Sequence, residues 1–311
     1  MTKRLTWRVT KLNIMQSLKF VPFVFGFVLL AAACASSFEE NDPTGSSYRT
    51  DFKFGNQDAS DHNLNWLQQE EGIDPNQFIL LGGSESEVRE PRPVSNNILQ
   101  QKYKDTLVLR GDNNTNRVAL TFDDGPDARF TPLVLDVLDK HDVKATFFMI
   151  GARAKEHKEL VKRIHESGHA IGNHTYWHPN LPNEEPQRIH WELTETEKTL
   201  EDILGFKPRL FRAPYGALNE EIMELISDLN LTAVGWDVDS LDWKQQGPEV
   251  IQDNVLSNVG FGSIILMHDG GDWSMDLSGT AEALDEIITR LKQDGTEFVT
   301  IPELVNVPVE K

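Results

Sequence analysis

The sequence predicts an α/β fold, a distorted (β/α) barrel of about seven parallel strands that follows a signal segment and a largely unstructured tether. From about Val118 onwards, short apolar runs alternate with amphipathic stretches, and this strand–helix alternation is typical of a parallel sheet. No GxGxxG sequence accompanies the roughly seven repeats, which favours a barrel over an open nucleotide-binding sheet. A basic, apolar start and a polar stretch after it predict the two leading segments.

Apolar runs mark the predicted strands, which cover residues 118–122, 145–150, 169–173, 210–211, 232–236, 263–267 and 297–301. Amphipathic stretches between them predict helices over 131–141, 158–166, 184–204, 219–229, 248–259 and 280–293. The first of these helices places its apolar residues at the spacing of one buried helix face, and Gly168 ends the second. Together these elements predict one folded domain over 115–308.

Residues 1–34 have the layout of an export signal. Basic residues precede an apolar run over 20–30, which is too short for a comfortable membrane span, and small residues then lead to Cys34. Small residues before the only cysteine resemble a bacterial lipobox, which predicts lipidation at Cys34 and an exported, membrane-anchored protein facing the cell wall. Cleavage after Ala33 or Ala35 without lipidation, and an uncleaved anchor, are the alternatives. Met15 is a second possible start.

Residues 35–114 form the predicted tether, since clusters of Ser, Asn, Asp, Glu and Gly dominate this stretch. The chain of 311 residues carries 30 Lys and Arg against 49 Asp and Glu, a formal net charge of −19. This acidic surface argues against nucleic acid as a partner, and any membrane contact is expected only through the N-terminal anchor. A single cysteine excludes an internal disulfide and a cysteine metal cluster. We expect a monomer that acts on a polysaccharide.

Polar residues sit where the predicted strands end. Asp123 and Asp124 follow the first strand, the segment 174–178 follows the third, and Arg212 follows the fourth. The segment 237–242 and His268 follow the fifth and sixth strands. The carboxyl ends of parallel strands share one face of an α/β barrel, so the sequence predicts that these side chains converge on one site.

Two histidines four residues apart, His174 and His178, can face one metal ion, and a nearby carboxylate would complete a hydrolytic zinc set. Taken alone, the histidine pair is more often ordinary packing, and Asp-Gly-Pro is a good turn. The two adjacent acids, however, would repel each other if both were buried and charged. A bound cation on one removes that repulsion and leaves the other free to act as a base.

At this point the chain resembles the polysaccharide deacetylases with a NodB-homology domain, carbohydrate esterase family 4. TFDDGP at 121–126 resembles the first motif of that family, and HTYWHP at 174–179 is similar to the second. RAPYG at 212–216, DSLDW at 239–243 and LMHD at 266–269 resemble the third, fourth and fifth, in family order. The resemblance covers about residues 118–305 and does not reach the first hundred.

The resemblance implies that Asp124, His174 and His178 hold one divalent ion, Zn²⁺ first, with Co²⁺ or another ion as alternatives. It further implies that Asp123 acts as the general base and that Arg212 orients it.

The same resemblance implies that His268 acts as the general acid, oriented by Asp242. The backbone N–H of Tyr215 is then expected to help bind the oxyanion. The residues expected to contact the substrate are Tyr215, Pro214, Trp243 and Leu266, the last two as walls of a small acetyl pocket.

The implied activity is hydrolysis of N-acetyl groups on a GlcNAc-containing polymer such as peptidoglycan, chitin or a chitooligosaccharide, with release of acetate. Retention of Asp124 favours GlcNAc over the muramic acid sugar, because some relatives that act on the latter replace it. An O-acetyl xylan esterase on the same fold is one alternative, and a glycan-binding lipoprotein without catalysis is another. Trp177, Tyr176 and Trp273 are candidates for stacking on sugar rings.

Overall fold

The computed structural model describes residues 96–311, so the predicted signal segment, Cys34 and most of the predicted tether lie outside the described residues. Within 96–311 the strands are β1 (Leu107–Val108), β2 (Arg117–Asp123), β3 (Thr146–Met149), β4 (Ala170–Asn173), β5 (Leu210–Phe211), β6 (Thr232–Val234), β7 (Val238–Asp239), β8 (Ile264–His268) and β9 (Glu297–Phe298). The helices are α1 (Asn96–Lys102), α2 (Thr131–His141), α3 (Gly151–Glu156), α4 (Lys158–Glu166), α5 (Pro186–Leu204), α6 (Glu220–Asp228), α7 (Pro248–Leu256), α8 (Ser278–Gln293) and α9 (Ile301–Val305).

Every strand pairing is parallel, which confirms the predicted α/β class. The strands follow the order β1-β6-β5-β4-β3-β2-β8-β7, with β9 paired to the start of β2. Among the described strands β1 and β7 form the two edges and do not pair with each other, so the curved sheet is a half-barrel.

The strands bury both faces, and their side chains alternate between the two. The outer face packs on the helices, where Leu120 and Phe122 of β2 join Ile265 and Met267 of β8 in the main apolar cluster. The inner face carries a second cluster, floored by α9, with members Ala119, Phe148, Leu210, Val234, Ile264, Ile301 and Leu304. Continuing the inner rows of β2, β5 and β8 by the two-residue period leads to Asp123, Arg212 and His268.

The helices cover the outer face through their apolar sides. Helix α5 buries Ile189, Leu193 and Leu200 at helical spacing, while helix α8 buries Leu284, Ile287, Ile288 and Leu291. No helix within residues 96–311 combines the length and the apolar character needed to cross a membrane.

Ordered structure begins before residue 115. Leu99 of α1 and Leu107 of β1 are both buried, and β1 pairs with β6 through Leu107 and Ala233. Burying each leucine contributes about 2 kcal/mol, so residues 96–108 belong physically to the folded unit rather than to a tether. At the other end the chain stays attached beyond 308, since the backbone N–H of Lys311 donates to the carbonyl of Lys207.

Candidate active site

The predicted site residues converge on the inner face of the half-barrel at the carboxyl ends of its strands. Asp123 is the direct register partner of His268 where β2 pairs with β8. His174 directly follows β4, and Arg212 directly follows β5. Asp123, His174, Arg212 and His268 are all buried, so the site is a desolvated cluster of polar groups rather than a patch of surface charge.

Three candidate metal-ligand atoms meet at the centre of this cluster. Oδ1 of Asp124 lies 3.3 Å from Nε2 of His174 and 3.1 Å from Nε2 of His178. One candidate ligand atom from each of the three residues lies within 4.8 Å of the other two. Both carboxylate oxygens of Asp124 and Nε2 of His178 are buried without a hydrogen-bond partner. Buried polar atoms are normally satisfied, so this convergence needs a partner such as a cation.

The outer nitrogens of both imidazoles are held in a way that turns Nε2 towards this centre. Nδ1 of His174 lies 2.8 Å from the carbonyl oxygen of Arg212, which can only accept, so Nδ1 carries the proton. Nδ1 of His178 lies 3.2 Å from the hydroxyl of Tyr215. Such outer hydrogen bonds fix the tautomer and the ring orientation of metal-binding histidines.

The donor set fits a divalent ion of the zinc type. Two imidazole nitrogens and one carboxylate, with room for water and substrate, are the usual ligands of a hydrolytic zinc site. Zinc bonds of 2.0–2.1 Å in a tetrahedron put neighbouring ligand atoms about 3.3 Å apart, close to the separations seen here.

The pKa shifts of Asp124 and His174 also favour a bound cation. Burial by itself would raise the pKa of Asp124. The charge and hydrogen-bond interactions with His178 and His174 outweigh this effect and hold the pKa well below its usual range. Burial by itself would lower the pKa of His174, but the Asp123 and Asp124 carboxylates raise it. The site therefore concentrates negative charge that favours a cation.

Asp123 is held by a buried ion pair rather than by the metal-ligand set. Nη1 of Arg212 donates to Oδ1 of Asp123 at 2.7 Å and to the hydroxyl of Thr121 at 2.8 Å. Nε and Nη2 of Arg212 donate to the carbonyls of Val234 and Gly235 at 3.0 and 3.1 Å. The other carboxylate oxygen of Asp123 lies 3.8 Å from Nε2 of His174, beside the metal-ligand cluster.

His268 forms a second buried pair on the opposite side of β2. Nδ1 of His268 lies 2.7 Å from Oδ1 of Asp242, and the backbone N–H of His268 donates to Oδ2 of Asp242 at 2.8 Å. The hydroxyl of Thr280 also donates to Oδ2 at 2.9 Å. With Nδ1 engaged by the carboxylate, Nε2 is the atom of His268 through which a proton can move.

The backbone is left-handed at several positions around the site. The φ angles of Asp124, Thr175, His178 and Tyr215 are 73°, 65°, 63° and 59°. Left-handed backbone is costly for residues with a Cβ, and such positions cluster at functional sites. Gly125 allows the close approach that follows Asp124, because a Cβ there would lie 2.3 Å from Oδ2 of Asp269.

The predicted substrate-contacting residues lie on the elements that carry His268, Asp242 and Arg212. Leu266 lies on the inner face of β8, two residues before His268, and Trp243 follows Asp242 in a short 3₁₀ turn. Pro214 and Tyr215 form another such turn after Arg212, and all four side chains are buried. Of the aromatic stacking candidates, Tyr176 is buried between Trp177 and Trp191, whereas Trp273 is exposed.

Two buried charged residues that the sequence does not single out hold the site loops. Nη1 of Arg153 donates to the carbonyl of Asp124 at 3.0 Å, and Nη2 donates to the carbonyl of Gly271. Oε2 of Glu192 accepts from the backbone N–H groups of Tyr176 and Trp177 at 2.7 and 2.8 Å. Glu192 could have been noticed as an acid on the apolar face of α5, whereas Arg153 follows no readable pattern.

The comparisons with known proteins agree with this fold. The polysaccharide deacetylase family model matches residues 110–234. A Bacillus cereus peptidoglycan-N-acetylglucosamine deacetylase is 43% identical over 213 residues, which are 68% of this chain and 75% of that protein.

Two solved structures extend the comparison. A peptidoglycan N-acetylglucosamine deacetylase in complex with an N-oxidanyl-benzamide compound superposes with a TM-score of 0.66 at 41% identity, covering 68% of this chain and 99% of that one. A family 4 acetyl xylan esterase from Clostridium thermocellum, solved with a cobalt ion, has a TM-score of 0.57 at 37% identity, covering 62% and 94%.

A parallel half-barrel with this identity to named deacetylases defines the class of the protein, a hydrolase of the deacetylase type. The chain belongs to the polysaccharide deacetylase family, carbohydrate esterase family 4, as its five motifs predict.

Proposed function

We propose that this protein is a metal-dependent N-deacetylase of GlcNAc-containing polysaccharide, with peptidoglycan as its first candidate substrate. The observation that carries the proposal is the buried cluster of Asp124, His174 and His178, flanked by the Asp123–Arg212 and His268–Asp242 pairs. The relatives named as peptidoglycan deacetylases support the choice of polymer. Chitin and chitooligosaccharides are the other members of the same substrate class.

Asp124, His174 and His178 are the proposed ligands of one divalent ion. Zinc is the first choice, and cobalt is the alternative because the related esterase was solved with it. A bound ion supplies Lewis acidity towards the acetyl carbonyl and lowers the pKa of a water ligand.

Asp123 is the proposed general base. Its Oδ1 is occupied by Arg212, which leaves Oδ2, next to His174, to accept a proton from the attacking water. A C–O bond forms to the acetyl carbon while Arg212 keeps the carboxylate in place.

His268 is the proposed general acid. Its Nε2 delivers a proton to the sugar nitrogen as the amide C–N bond breaks, so that the products are acetate and a free amino sugar. Asp242 fixes the imidazole and stabilises its charged form. The backbone N–H of Tyr215 is the proposed oxyanion donor. Trp243, Leu266 and Pro214 are the proposed walls around the acetyl group.

The related acetyl xylan esterase makes O-deacetylation the second candidate function. The same base, acid and metal ligands serve an ester as well as an amide. The two activities therefore differ in the sugar that the rim of the site accepts rather than in the catalytic residues.

For its cellular setting we propose an exported protein. Residues 1–34 serve as the export segment, Cys34 as the lipidated residue, and the catalytic domain acts at the cell wall. The names of the cell-wall peptidoglycan deacetylases among its relatives support this placement. Loss of lipid labelling in Cys34→Ser is the expected result, and unchanged labelling would refute lipidation at that residue.

One experiment tests the activity directly. The metal-loaded protein is offered chitooligosaccharides, peptidoglycan and acetylxylan, and acetate release is measured, with Asp123→Asn as the matched control. Release from the GlcNAc polymers that disappears in the control supports N-deacetylation. Release from acetylxylan alone selects the esterase, and no release from any polymer would leave only a binding role.

A further inference from the structure

The loop after β8 presents one large aromatic side chain to solvent. Trp273 is 90% exposed, more than any other large apolar side chain among residues 96–311. Burial of an indole ring is stabilising, and tryptophan is enriched at binding interfaces, so an exposed tryptophan on a fixed loop is a candidate binding residue.

The guanidinium of Arg129 holds this loop at four backbone carbonyls. Arg129 donates to the backbone carbonyls of Gly271 and Asp272 at 3.0 and 3.1 Å, and to those of Trp273 and Met275 at 3.2 and 3.3 Å. Arg129 is itself paired with Asp127, with Nη2 to Oδ2 at 2.6 Å. The ring of Trp273 is therefore carried on a backbone fixed at several points.

The same loop lies against three parts of the active site. It begins directly after His268 and Asp269. Arg153 links the carbonyl of Gly271 to that of the proposed metal ligand Asp124. Met275 and Leu277 pack with Trp243, a proposed wall of the acetyl pocket, in one apolar cluster. The loop that carries Trp273 thus borders the site.

We propose that Trp273 is a sugar-binding residue, an aromatic platform that stacks on the apolar face of a pyranose ring of the polysaccharide. This inference rests on the proposed function and specifies how the polymer is held. A fixed aromatic surface suits such a ligand because stacking uses area and shape, and a preformed loop loses little conformational entropy on binding. The occupant follows from the position of the loop, which continues the site proposed to act on that chain.

The test compares Trp273→Ala with Trp273→Phe and with Phe261→Ala. Phe261 is a matched control because it is 48% exposed and lies in the loop before β8, at the opposite end of that strand from His268. The wild-type and variant proteins are assayed on chitooligosaccharides and peptidoglycan, together with sedimentation of each protein with insoluble polymer.

Trp273→Ala is expected to raise KM for the polymer about tenfold while kcat changes far less, and to weaken co-sedimentation to the same degree. Trp273→Phe should recover most of both losses, since a phenyl ring still stacks. Phe261→Ala should leave KM and binding unchanged, and all variants should melt at the wild-type temperature.

Unchanged KM and binding in Trp273→Ala would overturn the proposal. So would a loss that Trp273→Phe does not recover, or a change in oligomeric state that tracks Trp273. Co-sedimentation measures polymer binding without turnover. A protein that binds polymer through Trp273 but releases no acetate would therefore contradict the proposed function and still support this inference.

Discussion

At the scale of single residues, Arg212 both stabilises the fold and positions Asp123, and no substitution separates these two roles. Arg212 is 1% exposed, and its guanidinium donates to two backbone carbonyls, a hydroxyl and the Asp123 carboxylate. Removing one partner of a buried ion pair costs about 3–5 kcal/mol because the other charge stays buried. A loss of activity in an Arg212 variant would therefore report folding as much as catalysis, and Asp123 is the better probe.

We expect Asp123→Asn to lose turnover by about 10²- to 10⁴-fold, the usual contribution of a general base, while it keeps the metal. Asparagine has nearly the same shape and can still accept from Arg212, but it cannot take a proton from water. Acetate release and metal content per chain are the two measurements. Turnover near the wild-type level would remove Asp123 as the base, and a parallel loss of metal would show that it is a ligand instead.

Asp242→Asn is expected to lower kcat by about 10²- to 10⁴-fold with little change in KM. The two carboxylate oxygens of Asp242 accept from Nδ1 and the backbone N–H of His268 and from Thr280. An amide must turn its NH₂ towards at least one of these donors, which disturbs the orientation and tautomer of His268. Steady-state kinetics on the oligosaccharide give the split between kcat and KM.

Thr280→Val is the matched control for this prediction, because it removes one of the three donors and keeps the side-chain shape. Its kcat should fall less than tenfold. An effect as large as that of Asp242→Asn would mean that packing around α8, and not the state of His268, controls the rate.

The convergence of these side chains could be predicted because each ends or directly follows an apolar strand, and parallel strands bring their carboxyl ends together. They are Asp123, Asp124, His174, Arg212 and His268. Arg153 and Glu192 could not be assigned in the same way. A charged residue on a helix is ordinary in a sequence, and only the packing of α3 and α5 shows that these two are buried against backbone groups of the site.

At the scale of elements, helix α5 supports the loop that carries both proposed histidine ligands. The loop has left-handed backbone at Thr175 and His178, and its backbone N–H groups at Tyr176 and Trp177 are satisfied by one buried carboxylate, that of Glu192. Arg188 of the same helix in turn pairs with Oε1 of Glu192. The spacing of the two imidazoles thus depends on a helix that contributes no proposed ligand.

We therefore expect Glu192→Ala to weaken zinc binding about 10- to 100-fold, the usual effect of losing an outer partner of a metal site. Glu192→Gln is the conservative variant, and it should recover much of the affinity because its carbonyl can accept from the same N–H groups. Zinc affinity is measured by competition with a chelator, and thermal melting of the metal-free proteins is the control. Equal zinc affinity in wild type and Glu192→Ala would show that the loop holds its shape without this anchor.

The element pattern was readable in long apolar strands such as β2 and β8 and also predicted the two-residue strand β5, but it missed β1 and β7. β1 and β7 have two residues each, too few for any periodicity, and they are defined only by pairing with β6 and β8. Helix α1 lies within the stretch 35–114 that the sequence predicts as tether. Its sequence is polar apart from Ile98 and Leu99, and in the structure only Leu99 is buried. Tertiary pairing, rather than local propensity, decides such segments.

At the scale of the whole molecule, burial on both faces of the sheet makes the stability of the fold sensitive to acid. His169, just before β4, is 3% exposed, and its Nδ1 accepts from the backbone N–H of Ala145 at 3.1 Å. A second proton on Nδ1 would break that bond and leave a charge inside the apolar layer beside Phe147. Burial, reinforced by the nearby Lys144, lowers the pKa of His169 to about 4.

The direction of the pH effect follows from this lowered pKa. The unfolded chain takes up the proton near pH 6.5 and the native state only near pH 4, so the unfolded state binds more protons between these values. The stabilisation due to a neutral His169 is therefore complete above pH 6.5 and is lost as the pH falls towards 4. Over the whole window it amounts to about 3 kcal/mol.

His169→Asn separates this contribution from that of the carboxylates, because its amide oxygen can accept from Ala145 but does not titrate. Urea unfolding of the metal-free proteins at pH 7.5 and 4.5 should show that the wild type loses about 2–3 kcal/mol more than His169→Asn. Equal losses in the two proteins would mean that His169 has the same pKa in the folded and unfolded states. The acid sensitivity would then belong to other groups, such as the buried carboxylates.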